Sequence, residues 1–412
     1  MESFANSAEM FAQSLGLKEP WRIERAEFNG QERAVHIYVS ARKTAKYACP
    51  ICGAMCKRYD DEEECVWRHG DVVFFPCYVH CRRPRVECET HNIHVVTAPW
   101  ARKGSRFTML FESYAMLLLS AMTVNEARKV LRISGTALTH IMRYWVSHAE
   151  ERQNLSDVKM LHIDETSFKR GQSYVTVIID GASHKVIDVE EGRDATTVER
   201  FSTYLDAHKG DSSEIERVTC DMSGAYKSGV SVCFPNAKRT IDKFHVKKLL
   251  LDALNKVRIE EQGRQAKRRD AGRKLLMIPE ARMTEEQRAK MDTLSKAYPK
   301  TGRAFRMVQS LDEMYSAKTI AEGKTYFDKL CRWMRRSRLE PMKVAAQTLK
   351  ENEWEILNYF AARLTNAVSE GLNSLIQAAK RKARGFRTYE GFRCMIMLLV
   401  GRLKPDCIPL FE

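Results

Sequence analysis

Apolar and polar positions change period several times along this chain. Residues 160–166, 174–180, 185–189 and 217–220 alternate or run β-branched, as strands do, whereas Val198, Phe201 and Leu205 recur at helical spacing within 194–205, with Thr196 or Thr197 near the start. The predicted order is strand, strand, strand, helix, strand, the second and third strands being antiparallel partners, with a fifth short strand at 239–241. Upstream, 72–78 reads as a strand and 107–150 as helix throughout. There Thr123 and Glu126 form a capping box that opens one short helix, and residues 134–138 open another. Val124, Ala127, Val130 and Leu131 would face the core of this helical hairpin, with Ile133 in its turn. From residue 245 onward the period is helical at 249–257, 302–315, 319–334 and 354–360. It is helical again at 365–382, where Val368, Leu372, Leu375, Ile376 and Ala379 form an apolar stripe and Glu370 lies off its centre.

Three acidic residues stand out against this pattern. Asp164 ends the apolar run of the first strand of the predicted core, Asp221 ends the fourth strand, and Glu370 rides on the late helix. An acidic residue at a strand end is ordinarily a solvated cap. Together, two strand-end carboxylates and a helix-borne one suit a pair of Mg2+ (or Mn2+) ions, which about 3.5–4 Å apart clamp the attacking and leaving oxygens of a phosphoryl displacement. Glu165 would point to the opposite face of its strand from Asp164.

The net charge of +15 points to a polyanionic partner, and its distribution sharpens this: residues 238–306 hold 20 Lys and Arg against nine Asp and Glu. Lys267, Arg268 and Arg269 in that stretch, and Arg335 and Arg336 beyond it, are solvated helix surface or a track for a duplex. Lys380, Arg381, Lys382, Arg384 and Arg387 follow Glu370 closely enough to touch phosphates near a scissile bond. At 412 residues with 44% hydrophobic content the chain should hold two to four domains with real cores. No apolar run reaches the length of a membrane helix, and the first 16 residues are too polar for a signal core, so a cytoplasmic protein is expected. No glycine-rich phosphate loop is visible, so no nucleotide cofactor is expected.

In a reducing compartment disulfides are disfavoured, yet seven of the 12 cysteines lie within 49–88. Cys49 and Cys52 form a C-x2-C pair, and Cys88 and His91 a C-x2-H pair, each able to bring two ligands to one tetrahedral Zn2+. Cys56, Cys65, Cys77 and Cys81 are further candidates, and reduced, buried cysteines without metal are the plain alternative. Cys220, Cys233, Cys331, Cys394 and Cys407 read as small core residues. In the helical hairpin, Thr136, Thr139, His140 and Arg143 would lie on a helix able to enter a major groove.

Local motifs carry a resemblance. His162 to Thr166, Asp221-Met222 with Tyr226, Phe234-Pro235-Asn236-Ala237, Asp242-Lys243-Phe244-His245, and Asn366 to Asn373 closely resemble bacterial insertion-sequence transposases of the ISL-three family, a likeness running from about Cys49 almost to the C terminus. It implies an α/β, RNase H-like mixed-sheet core interrupted by an all-helical insertion, preceded by a small zinc-bound β domain and a helix-turn-helix. It maps the catalytic triad onto Asp164, Asp221 and Glu370, puts Asp242 and His245 beside that site, and favours Cys49, Cys52, Cys88 and His91 as zinc ligands. The triad spacings, 57 and then 149 residues, leave room for the insertion. The implied organisation is an N-terminal segment 1–34, a zinc domain 35–104, a helix-turn-helix 105–155, a core 156–248, an insertion 249–360 and a helical end 361–412. The implied activity is metal-dependent DNA strand cleavage and strand transfer at terminal inverted repeats, by a homo-oligomer assembled on double-stranded DNA with a target duplex. A DNA-binding regulator, or a nuclease of the same fold that does not join ends, are the alternatives.

Overall fold

The computed structural model describes residues 7–169, 173–263, 270–362 and 367–401, without the side chains of 7, 270, 271, 362 and 367–370. The described residues divide into two compact units, a first running to Glu150 and a second beginning at Glu151.

In the first unit, α1 (Ser7–Ser14) precedes eight strands: β1 (Trp21–Asn29), β2 (Ala34–Ala41), β3 (Lys46–Ala48), β4 (Met55–Asp61), β5 (Cys65–Val72), β6 (Phe75–Cys81), β7 (Pro84–Cys88) and β8 (Asn92–Val95). They form two four-stranded sheets, ordered β1-β2-β6-β5 and β3-β4-β7-β8. The first sheet packs Ile37, Val39, Trp67, Cys77, Val79 and Cys81 against Trp100, which meets Trp21 and Trp67 edge-on at 5.2 and 5.5 Å. Cys77 and Cys81 are therefore core residues, with thiols pushed up to about 12 by burial.

The strand expected at 72–78 is broken in its middle. Val72 pairs with Phe75, and Val73-Phe74 turns the chain. The run Val72-Val73-Phe74-Phe75 carries strong β-propensity and no Gly, Asn or Asp within it, so its pattern hides the reversal.

Three helices follow: α2 (Met109–Ala121), α3 (Val124–Leu131) and α4 (Gly135–Glu150). Thr123 and Glu126 form the expected capping box, and Arg132 ends α3 in the left-handed conformation, φ 56°. Ala127 and Leu131, four apart, make the buried stripe of α3, and Val124 is half-buried. Val130, expected in the core, is 48% exposed, because the eight-residue helix covers its neighbours along only that narrow stripe. Glu112 on α2 is fully buried and is the joint of this unit: its carboxylate accepts hydrogen bonds from Arg102 Nε (2.8 Å), Ser105 Oγ (2.6 Å) and Trp145 Nε1 of α4 (2.7 Å).

The second unit holds a five-stranded mixed sheet of β9 (Met160–Ser167), β10 (Tyr174–Asp180), β11 (Val186–Glu191), β12 (Arg217–Cys220) and β13 (Lys238–Ile241), in the order β11-β10-β9-β12-β13. The first three strands are antiparallel neighbours, and β9, β12 and β13 run parallel. Helices α5 (Ala195–Ala207), capped by Asp194 with Thr196 and Thr197 in its first turn, and α6 (Gly224–Cys233) cover one face. Leu161, Ile163 and Val218 pack there on Val198, Phe201, Leu205 and Val230.

A helical cluster follows β13: α7 (Lys243–Gln262), α8 (Asp270–Leu276), α9 (Glu285–Ala297), α10 (Pro299–Ser316), α11 (Ile320–Arg336), α12 (Glu340–Glu351), α13 (Glu353–Leu357) and α14 (Tyr359–Ala362). Its core is continuous, from Val246 and Leu250 through Phe305, Leu311, Phe327 and Met342 to Ile356. The helix expected at 354–360 is two short ones, and Trp354 is 72% exposed. The chain then returns to the sheet as α15 (Ala367–Lys382) and α16 (Tyr389–Val400), where Tyr389 Oη donates to Val189 O (2.6 Å) and Arg393 meets the buried Asp188 at 3.1 Å. Among the described residues no helix is long and apolar enough to cross a membrane.

Candidate active site and metal centre

Parallel pairing builds the acidic site. β12 sets Arg217 opposite both Met160 and Lys238, and Thr219 opposite both His162 and Thr240. Carried two residues on, that register brings Asp221 level with Asp164 on one side and Asp242 on the other, so three aspartates stand in a row: Asp221 and Asp242 just past the ends of β12 and β13, and Asp164, expected at a strand end, inside β9, which runs on to Ser167 because it stays paired with β10. Their shared parity keeps them on one face. The opposite face receives Glu165, which lies 3.8 Å from Arg193, as alternation requires.

Each aspartate is held. Asp164 accepts from Glu165 N at 2.8 Å and from Asn373 Nδ2, and its Oδ1 lies 3.7 Å from His245 Nε2. Burial alone would raise its pKa, but the bonds from His245 and Asn373 outweigh burial and hold it below the usual carboxylate value. For His245 burial favours the neutral ring, and the bond to Asp164 with the fields of Asp242, Asp164 and Asp221 overcomes it, so its pKa is raised. Asp221 accepts from Ser223 N (2.7 Å), while its carbonyl is gripped by Arg239 Nη2 (2.6 Å). Arg239, 8% exposed, faces Glu355 of α13 at 3.5 Å. Asp242 caps α7, accepting from Phe244 N at 2.7 Å.

Helix α15 lies over this face. Asn373 reaches Asp164, Gln377 Nε2 donates to Thr166 Oγ1 (2.6 Å), and Lys380 Nζ donates to Ser167 O and to Ser167 Oγ (2.9 Å). The spacing 373, 377, 380 is one helix face running along β9. The side chain of Glu370, three positions before Asn373, lies outside the described residues. Leu372 and Ile376 of the expected apolar stripe are buried, but Leu375 is 57% exposed, because the sheet-facing side of α15 is polar. Asn373, Gln377, Arg239 and Glu355 had no role in the sequence reading. The polar i, i+4 pair of Asn373 and Gln377 was the available signal.

The other basic residues distribute differently. Arg381, Lys382, Arg384 and Arg387 are exposed at and beyond the end of α15. Lys267, Arg268 and Arg269 lie outside the described residues, as do Asn366 and Cys407. In the first unit Thr136 and His140 are exposed on the opening turns of α4, Thr139 bonds Gly135 O at 2.8 Å, and Arg143 is half-buried.

The second site is in the sheet β3-β4-β7-β8. The turn between β3 and β4 carries Cys49 and Cys52, and the turn between β7 and β8 follows Cys88 with His91, so two hairpins face each other. Their four ligand atoms all lie within 4.8 Å of one another. Cys52 Sγ and Cys88 Sγ are 3.7 Å apart, and His91 Nδ1 is 3.6 Å from Cys88 Sγ and 3.9 Å from Cys49 Sγ. A tetrahedral shell with metal–sulfur bonds of about 2.3 Å has ligand–ligand edges of about 3.8 Å, so the donor set fits such an ion. Hydrogen bonds from Thr90 and His91 hold the Cys88 thiol down at about 5. Cys56 instead bonds Ala54 O (3.3 Å), and Cys65 bonds Glu62 (3.3 Å).

Comparison with known proteins matches the second unit and the helices of the first separately. Residues 161–396 match the DDE transposase family of ISL3 type, and residues 96–146 match the helix-turn-helix domain of transposase family ISL3. The transposase for insertion sequence element IS1557 of Mycobacterium tuberculosis is 26% identical over 430 residues, covering 96% of each chain. The transposase for insertion sequence element IS1001 of Bordetella parapertussis is 25% identical over 392 residues, covering 92% of this chain and 95% of its own. A helix-turn-helix that binds DNA and a DDE catalytic domain thus share one polypeptide, and the chain belongs to the ISL3 family of insertion-sequence transposases, enzymes acting on DNA.

Proposed function

We propose that Asp164, Asp221 and Glu370 form the catalytic triad of this transposase, within an RNase H-like core that uses two Mg2+ or Mn2+ ions. The observation that carries the reading is the common register that levels Asp221 with Asp164 on adjacent parallel strands. The strand order β11-β10-β9-β12-β13, with its antiparallel half and its parallel half, supports the core assignment. Hard carboxylate oxygens are the donors such cations prefer. When bound, the ions would supply charge neutralisation at the scissile phosphate and a lowered pKa for the attacking water.

The chain's own residues then orient the reaction. Asn373 and the Glu165 amide fix the two oxygens of Asp164, and Arg239 and the Ser223 amide fix Asp221. Water attacks the phosphodiester at the element's end and frees a 3′-OH; that hydroxyl then attacks a phosphodiester of target DNA and displaces its 3′ oxygen. Asp242 and His245 act beside the triad. The first unit, with Zn2+ held by Cys49, Cys52, Cys88 and His91, reads the terminal inverted repeats through α4. The organisation follows the six segments set out from the sequence, and two ends are joined by a homo-oligomer assembled on DNA in the bacterial cytoplasm.

Strand-transfer assays with labelled terminal repeats test this. Asp164→Asn, Asp221→Asn and Glu370→Gln should each bind the repeats and join none; joining by all three variants would refute the triad. Cleavage without joining by the unaltered chain would reassign it as a nuclease.

A further inference from the structure

We propose that the Val73-Phe74 turn is a DNA wedge, two apolar side chains that the first unit inserts at a base-pair step beside the groove entered by α4. The proposal rests on the reading that this unit binds the terminal repeats.

The turn has a backbone that its residues do not favour. Val72 opposite Phe75 leaves a two-residue connection, and Val73 and Phe74 have φ of 48° and 70°. Positive φ at both central positions is the type I′ geometry, for which Asn-Gly is the preferred pair. A β-branched and an aromatic residue there are strained. The folded unit gains no burial in return, since Val73 is 77% and Phe74 88% exposed. A hydrophobic side chain left on the surface is ordinary; one left there on a strained backbone has its use outside the folded chain.

The tip is also tied to the DNA-reading helices. Arg132, the left-handed residue between α3 and α4, donates from Nη2 to Phe74 O at 2.7 Å and pairs with Asp71. Asp71 pairs in turn with the buried Arg68, which donates to Cys77 O (3.3 Å) and lies 5.3 Å from the Phe111 ring of α2. The hairpin end and the turn that launches α4 therefore form one body. Arg33 lies 5.8 Å from the ring of Phe75, just inside the tip, so guanidinium groups flank the apolar pair. Cations around an exposed apolar point suit a duplex, with phosphates outside and an apolar base stack within, and such wedges unstack a step from the minor groove.

The test uses the full chain and the double variant Val73→Asn/Phe74→Gly, whose residues relax the turn while removing the wedge. Terminal-repeat duplexes carry 2-aminopurine at successive steps, with a donor–acceptor dye pair reporting bending. The original chain should unstack one or two adjacent steps and bend the duplex. The variant should lose both signals and bind at least tenfold more weakly, with a melting temperature equal to or above that of the original. Equal unstacking and bending by the variant would overturn the wedge and leave terminal-repeat binding standing. Unchanged 2-aminopurine signals with a loss of self-association in sedimentation would instead assign the tip to contact between copies of the chain. Failure of the original chain to bind the repeats would overturn both readings.

Discussion

Asn373 of α15 donates a hydrogen bond to Asp164 of β9 across 209 residues of sequence. This amide joins a helix that arrives late in the chain to the first strand of the sheet. It leaves Asp164 negatively charged and fixes one of its oxygens.

Replacing Asn373 by Ala should therefore lower strand cleavage by about 10–100-fold, the usual cost of freeing a group that orients a metal ligand. Affinity for terminal-repeat DNA should stay unchanged. Cleavage kinetics beside gel-shift titrations would check this; equal loss of both would mean that the helix had undocked.

Glu355→Ala should destabilise the second unit by about 3–5 kcal/mol, because it strips the partner from a buried guanidinium. Arg239 is 8% exposed and Glu355 15%. The same variant should weaken cleavage, since Arg239 also grips the Asp221 carbonyl. Urea midpoints and cleavage rates measured together would reveal both effects.

Chelation should unfold the sheet β3-β4-β7-β8, whose own core among the described residues is only Ala41, Tyr47, Val86 and Val96. One zinc per chain should be released to a colorimetric chelator, and Cys88→Ser should purify without it. Zinc retained at full stoichiometry by Cys88→Ser would exclude the four-ligand assignment.

Acid should weaken the first unit through His69. Burial lowers its pKa to about 4, and Nδ1 lies 2.9 Å from Thr108 Oγ1, which itself accepts from Phe111 N. Buried in this way, the ring is held neutral and shares a hydrogen bond with the hydroxyl. The folded value lies below the unfolded value near 6.5, so the stabilisation is complete above pH 6.5. It is lost as pH falls toward 4, by about 3 kcal/mol. Denaturant unfolding from pH 7 to 4.5 should show this slope, and His69→Gln should flatten it.

The second unit's sheet was legible because its strands are short, β-branched and bounded by turns. The Cys3His cluster was legible because each pair is local in sequence, although setting the extra cysteines apart from it required coordinates. Cys77 and Cys81 alternate inward on β6, which spacing between ligand pairs does not reveal. The partners of the aspartates were invisible for a physical reason: Asn373 and Arg239 act on residues 209 and 18 positions away, and no period links such positions. The Val73-Phe74 turn escaped because its residue types argue for a strand, and Arg132, which holds the Phe74 carbonyl, comes from another element.

The late arrival of α15 has a consequence for synthesis. Asn373 follows Asp221 by 152 positions, which a ribosome making about 5–20 residues per second needs roughly 8–30 s to add. Throughout that interval Asp164 lacks its amide partner, whereas the first 150 residues have already been made and can form the contacts among themselves. A nascent chain thus acquires its DNA-reading unit well before it can complete a cutting centre, and premature termination anywhere in the helical cluster yields a protein that can grip a duplex but not break it.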